Sequence, residues 1–262
     1  MTQTEESPPT VLITGASGGI GWELAKLFAC DGYRLVLVAR NRSKLEELAQ
    51  NLQREFGASA IVLAEDLADP NAPGRIYDTL QRQGIEVDVL VNNAGFGDFG
   101  PFAETDLKVD LEMMQVNMTA LVHLTRLFLP GMVDRKKGKI LNVSSLAAFE
   151  PGPFMAMYYA TKAFVSSYSE AIADELRGTG VTVTALCPGP TRTGFQARAG
   201  TERNRTASEF MEAAEVARVG YRGLLAGKAV VIPGLRNRLI ALFVKLIPRS
   251  IATRLVRMIH NR

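Results

Sequence analysis

Apolar segments of two lengths alternate along the chain. Short runs rich in β-branched residues predict strands, and longer stretches with apolar residues three and four positions apart predict helices between them. The predicted strands are Val11–Thr14, Leu35–Ala39, Ala60–Ala64, Val87–Val91, Ile140–Val143, Val181–Leu186 and Ala229–Ile232. The predicted helices are Ile20–Cys30, Ser43–Phe56, Asp106–Val133, Met157–Arg177 and Ala207–Leu225.

The predicted strands are continuously apolar rather than alternating, which indicates that both faces of the sheet are covered. We therefore predict an α/β fold with a doubly wound parallel sheet of the Rossmann type, with about seven strands and helices on both faces. The chain has 262 residues, which fits one such domain over residues 10–234 after a flexible N-terminus at 1–9. Residues 235–262 are expected to form a basic, amphipathic helical tail.

Composition and charge exclude several classes of protein. With 47% hydrophobic and 22% charged residues, the chain can bury a full core, which excludes disordered, collagen-like and disulfide-scaffold proteins. The net charge is +3, but residues 235–262 hold seven basic residues and no acidic ones, so the rest of the chain carries −4. This balance predicts that the protein has no nucleic-acid partner.

Cysteine usage and the N-terminal sequence predict a location. Cys30 and Cys187 are too few and too far apart for a metal site or a disulfide framework, so no metal and a reducing environment are expected. The first ten residues are polar and acidic, and no segment has about 18 uninterrupted apolar residues. We therefore expect a cytoplasmic protein without a signal peptide or a membrane span.

A glycine-rich turn follows the first predicted strand directly, as Thr14-Gly-Ala-Ser-Gly-Gly-Ile-Gly21. Gly15, Gly19 and Gly21 permit a tight turn, close approach of a pyrophosphate and close helix packing, and the start of the next helix points free N–H groups at an anion. A simple strand-to-helix connection is the alternative. The position at the first strand–helix junction favours nucleotide binding.

The second predicted strand ends without a carboxylate, in Ala39-Arg-Asn-Arg42. A site for NAD offers an acidic residue to the ribose 2′-hydroxyl here, whereas Arg40 suits a charge-assisted contact with a 2′-phosphate. A solvated basic turn is the alternative. The residue types favour NADP(H).

Tyr158 and Lys162 lie four residues apart in a predicted helix, so they project from the same face. A neighbouring ammonium favours the phenolate and is expected to move the pKa of a tyrosine from its usual value near 10 toward neutral pH. An ordinary surface pair of Tyr and Lys is the alternative when these two residues are taken alone.

Together, several motifs resemble the short-chain dehydrogenase/reductase family over about residues 10–232. The order and spacing of the glycine-rich turn, Asn92-Asn-Ala-Gly95, Asn117, Ser145 and Tyr158-x3-Lys162 match that family. The resemblance implies that Tyr158 is the general acid and that Lys162 lowers its pKa and binds the nicotinamide ribose. It also implies that Ser145 binds the substrate oxygen and that Asn117 positions a water that links Lys162 to solvent.

The same resemblance implies a set of cofactor contacts. Asp66 would accept a hydrogen bond from the adenine amine, and Thr193 would contact the nicotinamide amide. Members that prefer NADP(H) often carry a cation just before the middle glycine, where this chain has Gly18, so Arg40 would act without that second cation. The full predicted set is Gly15, Ser17, Gly19, Ile20, Gly21, Arg40, Asp66, Leu67, Asn92, Ala94, Gly95, Tyr158, Lys162, Pro188, Gly189 and Thr193.

The predicted activity is NADP(H)-dependent hydride transfer between the nicotinamide and a small-molecule carbonyl or secondary alcohol. A non-catalytic NADP(H) sensor or scaffold is the alternative, although all four catalytic positions are filled. The resemblance implies that the substrate is set by the segments after Gly95, from Leu146 to Met157 and after Thr193. Their apolar residues suggest a lipophilic ketone, steroid-like or 3-oxoacyl, and are Phe96, Phe99, Phe102, Phe149, Phe154, Met155, Met157 and Phe195. Phosphates of a coenzyme A or phosphopantetheine thioester would suit Arg198, Arg203 and Arg205.

The tail carries two apolar helical stripes separated by Pro248. Such stripes usually pack on the parent domain or on a second subunit, and a homodimer or homotetramer is expected. Peripheral contact with an acidic membrane is the alternative, because the tail is basic. The stripes consist of Leu235, Leu239, Leu242 and Leu246, and of Ile251, Leu255 and Met258.

Overall fold

A central parallel sheet dominates the computed structural model, which describes residues 8–201 and 210–260. Its strands are β1 (Thr10–Thr14), β2 (Arg34–Ala39), β3 (Ala60–Ala64), β4 (Val89–Asn92), β5 (Gly138–Val143), β6 (Val181–Leu186) and β9 (Val230–Val231). They lie in the order β3-β2-β1-β4-β5-β6-β9, and every neighbouring pair is parallel. Two short strands, β7 (Thr191–Arg192) and β8 (Met211–Glu212), pair separately.

Helices cover both faces of the sheet. Phe28 and Leu48 lie in the buried cluster on one face, and Leu80, Leu124 and Phe128 lie in the cluster on the other. The predicted doubly wound fold with seven strands is therefore confirmed. The helices are α1 (Gly19–Cys30), α2 (Arg42–Phe56), α3 (Ala72–Arg82), α4 (Leu107–Met114), α5 (Ala120–Asp134), α6 (Ala156–Glu175), α7 (Phe195–Ala199), α8 (Ala213–Leu225), α9 (Leu235–Leu246) and α10 (Arg249–His260), with a π-helical turn at Gln115–Thr119 and a 3₁₀ turn at Leu146–Phe149.

The predicted helices differ from the structure at two places, where one helix was missed and another begins later than predicted. The prediction contained no helix at α3, whose Pro73 and Gly74 resemble a turn, although proline suits the first turn of a helix and Ile76 and Leu80 are buried. The predicted helix Ala207–Leu225 begins later, at α8, because Met211 and Glu212 form a strand. Residues 207–209 and most of the predicted N-terminus at 1–9 lie outside the described residues.

The predicted helix Asp106–Val133 corresponds to α4, the π-helical turn and α5. Among the described residues, the stretch Leu107–Asp134 is long and apolar enough by composition to cross a bilayer. Leu124, Phe128 and Met132 nevertheless pack in the buried cluster under the sheet. These contacts make the stretch a core helix of the fold.

The tail forms the helices α9 and α10, and it contacts the domain through faces other than the apolar stripes. In α9 the buried residues are Asn237 and Ala241, and in α10 Val256 packs in a cluster with Met155 and Tyr159. The apolar stripes themselves are exposed. Of the two packing partners expected for these stripes, the parent domain is therefore excluded, and packing on a second subunit stays a prediction.

Candidate active site

A single continuous cavity of about 680 Å³ lies at the carboxyl ends of the strands. Because β3, β2, β1, β4, β5 and β6 are neighbours in that order, the residues that follow them form one row along the edge of the sheet. We call its two extremities the Arg40 end, with Gly18, Arg40 and Asp66, and the Tyr158 end, with Met155, Tyr158, Phe195 and His260. Predicted residues that line the cavity are Gly15, Ser17, Gly19, Ile20, Arg40, Asp66, Leu67, Ala94, Gly95, Ser145, Tyr158, Lys162, Pro188, Gly189 and Thr193.

The glycine-rich turn has the backbone that its composition predicts. Gly15 has φ of +65° and Gly19 has φ of +57°, a region that disfavours other residues. Gly21 does not line the cavity but lets α1 approach the turn, because a Cβ there would lie 2.5 Å from the carbonyl oxygen of Gly15. A Cβ at Gly18 would meet nothing within 4 Å, which leaves open space beside the first turn of α1.

The prediction that Asn92 supports the cofactor directly was wrong, because its side chain points away from the cavity. Asn92 is buried and donates to Asn142 Oδ1 at 2.9 Å and to Thr125 Oγ1 at 3.3 Å. Asn93 lines the cavity instead, and its Nδ2 donates to the carbonyl oxygens of Thr14 and Gly15. Successive strand residues point to opposite faces, so adjacent asparagines take different roles.

Arg40 and Asp66 face each other across the Arg40 end. One guanidinium nitrogen of Arg40 lies 3.8 Å from Asp66 Oδ2, and both side chains are about half exposed. Asp66 Oδ1 also accepts from the backbone N–H of Ala68, which orients the carboxylate. Arg42 pairs instead with Glu46 on the exterior of α2 and does not line the cavity.

Arg198 brings a second cation to the cavity wall. Its guanidinium carbon lies 3.8 Å from the ring centroid of Phe96. Burial, followed by repulsion from Arg40, lowers the pKa of Arg198. Arg198 therefore faces the same cavity as Arg40, whereas Arg203 and Arg205 lie outside the described residues.

Ser145, Tyr158 and Lys162 meet at the other extremity. Lys162 Nζ donates to the carbonyl oxygen of Val143 at 2.9 Å and lies 5.8 Å from the ring centroid of Tyr158. Ser145 Oγ accepts from the backbone N–H of Ala147, so its position is set by the 3₁₀ turn. α6 and the end of β5 thus converge on one point of the cavity.

The pKa of Tyr158 contradicts the sequence-based expectation. Burial raises the pKa of this phenol to about 12, and the hydrogen bond with Ser145 opposes the increase. Burial also lowers the pKa of Lys162 to about 8. The ammonium is bound to Val143 rather than to the phenol, so desolvation exceeds the expected effect of the cation on Tyr158.

Asn117 lies in the π-helical turn, a local irregularity that often occurs at functional sites. Its Oδ1 accepts from Phe96 N at 3.1 Å, and its Nδ2 donates to Phe96 O at 2.9 Å and Thr161 Oγ1 at 3.0 Å. A Cβ at Gly95 would lie 3.1 Å from Asn117 Oδ1 and 3.2 Å from Lys162 Nζ. Asn117 does not line the cavity, but it fastens the segment after β4 to α6 beside Lys162.

A family model for short chain dehydrogenase matches residues 9–204, a range that contains Asn117, Ser145, Tyr158 and Lys162. The chain belongs to the short-chain dehydrogenase/reductase family.

Relatives of known name agree with this assignment. The chain is 39% identical to a very-long-chain 3-oxoacyl-CoA reductase of Phaeosphaeria nodorum over 178 residues, which are 66% of this chain and 52% of that protein. A short-chain dehydrogenase of Sphingobium yanoikuyae, solved in complex with NADPH, is 36% identical with a TM-score of 0.83, and the match covers 91% of this chain and 93% of that one. A bulky-bulky ketone specific alcohol dehydrogenase of Comamonas testosteroni is 30% identical with a TM-score of 0.77, covering 92% and 96%.

This short-chain dehydrogenase/reductase uses only part of the predicted apolar set to line its cavity. Phe96, Met155 and Phe195 line it, and Phe99 packs in the adjoining cluster. Phe149 lies under the ammonium of Lys245 instead. A separate, smaller pocket is lined by Phe102, Phe154 and Met157.

The cavity wall also contains residues that the sequence did not identify. His260, at the end of α10, has Nδ1 2.7 Å from Pro153 O, and its Nε2 lies 3.3 Å from the Tyr159 hydroxyl. Tyr159, Phe210 and His260 all line the cavity. No sequence signal identifies His260, because it lies 101 residues from Tyr159 along the chain.

Proposed function

We propose that this chain is an NADP(H)-dependent reductase that transfers hydride to the carbonyl carbon of a lipophilic ketone. The observation that carries the proposal is the single cavity with Arg40 at one extremity and Ser145, Tyr158 and Lys162 at the other. A 3-oxoacyl thioester is the leading substrate class, and a steroid-like ketone is the second.

The lining residues fit a dinucleotide with a 2′-phosphate. The glycine-rich turn would hold the pyrophosphate, since its backbone leaves open space at Gly18 beside the first turn of α1. Arg40 would hold the 2′-phosphate, because a guanidinium forms charge-assisted hydrogen bonds with phosphate oxygens. When bound, the nicotinamide supplies the hydride, and the Sphingobium yanoikuyae relative solved with NADPH supports this choice.

The protein residues at the Tyr158 end supply polarisation and the proton. With a pKa of about 12, the Tyr158 phenol keeps its proton at neutral pH and can donate it to a carbonyl oxygen that becomes an alkoxide. Ser145 hydrogen-bonds the same oxygen in this proposal. Lys162, with a pKa of about 8, is mostly a cation at pH 7 and stabilises the phenolate that remains after transfer.

The walls of the cavity support the substrate class. The Phe195 ring lies 5.1 Å from that of Tyr158, and Phe96 and Met155 add apolar surface to the cavity, which suits an acyl chain or a fused-ring ketone. Arg198 faces the same space and suits the phosphates of a thioester carrier. The Phaeosphaeria nodorum relative is named as a very-long-chain 3-oxoacyl-CoA reductase, and the chain spans only about half the length of that protein.

A panel of ketones tests this function. Purified protein is supplied with NADPH or NADH and with 3-oxoacyl-CoA thioesters of increasing chain length, steroid ketones and small hydrophilic ketones, and reduced-nicotinamide consumption is measured. We expect turnover of the apolar ketones with NADPH. Tight NADPH binding without turnover of any ketone would contradict the proposal and favour the sensor or scaffold.

A further inference from the structure

The outward faces of α9 and α10 expose large apolar side chains. Leu235 and Leu246 at the two ends of α9 are 72% and 77% exposed, and Met258 in α10 is 57% exposed. Exposed apolar surface that is continuous along a helix indicates an interaction site, because single scattered residues are the normal case. The exposed members are Leu235, Leu239, Leu242, Phe243 and Leu246 in α9 and Ile251, Leu255, Met258 and Ile259 in α10.

Each helix contacts the protein through a different face from its exposed stripe. At 3.6 residues per turn, the buried Asn237 and Ala241 lie nearly opposite Leu239 and Leu242 around α9. In α10 the buried Ala252, Val256 and His260 are centred about a third of a turn from the centre of the exposed residues, and Ile259 lies at the border between the two faces. The stripes are therefore not the surfaces by which the tail is attached to the domain.

Positive charges border the stripe of α9 on both sides. Helical spacing places Arg236 on one flank and Arg238 and Lys245 on the other. Residues 235–262 contain seven Arg and Lys residues and no acidic ones, and among the described residues no Arg or Lys of α9 or α10 forms an ion pair. Long basic side chains beside an apolar stripe can extend their charges to lipid phosphates while their stems lie on apolar surface.

We propose that the exposed faces of α9 and α10 form a docking surface for an anionic lipid bilayer. Charge complementarity favours lipid over a second copy of this chain. In a two-fold dimer through the same faces, each copy would bring the same cations to the interface without an acidic partner from the tail. An anionic bilayer presents both the apolar interior and the negative charge that these faces match.

The docking surface is also physically connected to the Tyr158 end of the cavity. His260 of α10 lines the cavity and contacts Tyr159 and Pro153, and Lys245 of α9 lies 5.4 Å from the ring centroid of Phe149. A docked tail would thus hold the Tyr158 end of the cavity close to the lipid. A position close to lipid suits an apolar substrate. The docking surface itself does not depend on the proposed activity.

Co-sedimentation of the full chain with vesicles tests the docking surface. Vesicles of phosphatidylcholine with phosphatidylglycerol are compared with vesicles of phosphatidylcholine alone, at low and high salt. Leu239→Ser/Leu242→Ser removes part of the stripe, and Leu107→Ser/Leu111→Ser is the matched control, because these leucines are similarly exposed on α4. The Arg236→Gln/Arg254→Gln variant tests the contribution of positive charge in the tail. Its matched control is Lys136→Gln/Lys137→Gln, which removes two exposed charges outside the tail.

We expect binding to the anionic vesicles that weakens with salt. Each lost cation should reduce the affinity about fivefold, which corresponds to about 1 kcal/mol per charge at the surface. The Leu239→Ser/Leu242→Ser variant should lose about tenfold or more, whereas both control variants should bind like the parent chain. Circular dichroism and size-exclusion light scattering of every variant report fold and oligomeric state.

Two outcomes would overturn the proposal. One is the absence of binding to anionic vesicles at low salt by the folded parent chain. The other is a parent oligomer that the Leu239→Ser/Leu242→Ser variant dissociates, with no vesicle binding by either protein, which would assign the surface to a second copy. The ketone panel gives an independent readout, so loss of vesicle binding and loss of the proposed activity are distinguishable.

Discussion

The two ends of the cavity are built in different ways. At the Arg40 end, the lining residues directly follow strands β1, β2 and β3, so the order of the sheet places Gly15, Arg40 and Asp66 side by side. At the Tyr158 end, Ser145 after β5 and the Tyr158–Lys162 pair of α6 meet Phe195 and His260 from short or terminal helices. The Arg40 end and the Tyr158–Lys162 pair thus rest on the central sheet and α6, whereas the apolar wall of the Tyr158 end, which the proposed function assigns to substrate, comes from peripheral elements. Substrate range can therefore change without altering the chemical machinery.

Removing the proton donor should have the largest effect. Tyr158→Phe should lower kcat for ketone reduction by about 10³-fold, within the range of a general acid, with NADPH affinity nearly unchanged. Steady-state kinetics and NADPH titration by fluorescence check this result. Tyr159→Phe is the matched control, because the Tyr159 hydroxyl contacts His260, whereas that of Tyr158 contacts Ser145. If Tyr159→Phe were inactive and Tyr158→Phe active, the assignment on α6 would be wrong.

Changing the cation at the Arg40 end should alter cofactor choice without altering the chemistry. Arg40→Asp should shift the ratio of kcat/KM for NADPH to that for NADH by about 100-fold toward NADH, since a charge-assisted phosphate contact is replaced by a carboxylate. Arg42→Asp is the control, because Arg42 pairs with Glu46 outside the cavity. An unchanged ratio in Arg40→Asp would show that Arg40 is a solvated surface charge.

The titration of Lys162 should set the basic limb of the pH profile. The pKa of about 8 means that the ammonium is present at pH 7 and is lost as the pH rises. Reductive kcat/KM for NADPH should thus fall about tenfold between pH 7 and pH 9. Tyr158, with a pKa of about 12, stays protonated over this range.

Lys162→Arg tests the source of that basic limb. Its guanidinium remains charged, so whatever activity the variant retains should be independent of pH between 7 and 9. Persistence of the same limb in this variant would assign the titration to another group.

The smallest predicted effect concerns the peripheral wall. His260→Ala should raise KM for the preferred ketone about fivefold through the loss of one hydrogen bond to Pro153 and one to Tyr159, with KM for NADPH unchanged. His123→Ala is the matched control, because His123 is the other histidine and is exposed on α5. Equal changes in both KM values would mean that α10 supports the whole cavity rather than its Tyr158 end.

The fold and the chemical core of the site were predictable from local patterns. Buried parallel strands are continuously apolar, and a glycine turn or a Tyr-x3-Lys spacing acts over a few residues, so neighbouring sequence carries the signal. The helix α3 was missed because proline and glycine at its start are also typical of a turn. Arg198 was identified from its charge, but its position against Phe96 needed the structure.

The sequence by itself determined the sheet, the Tyr158-x3-Lys162 pair and Arg40, because each depends on residue type and short-range spacing. Tertiary structure alone decided which asparagine faces the cavity, how strongly burial raises the pKa of Tyr158, and which face of the tail is attached. These outcomes depend on desolvation and on contacts between distant segments. His260 is the clearest case, since only the packing of α10 brings it to Tyr159.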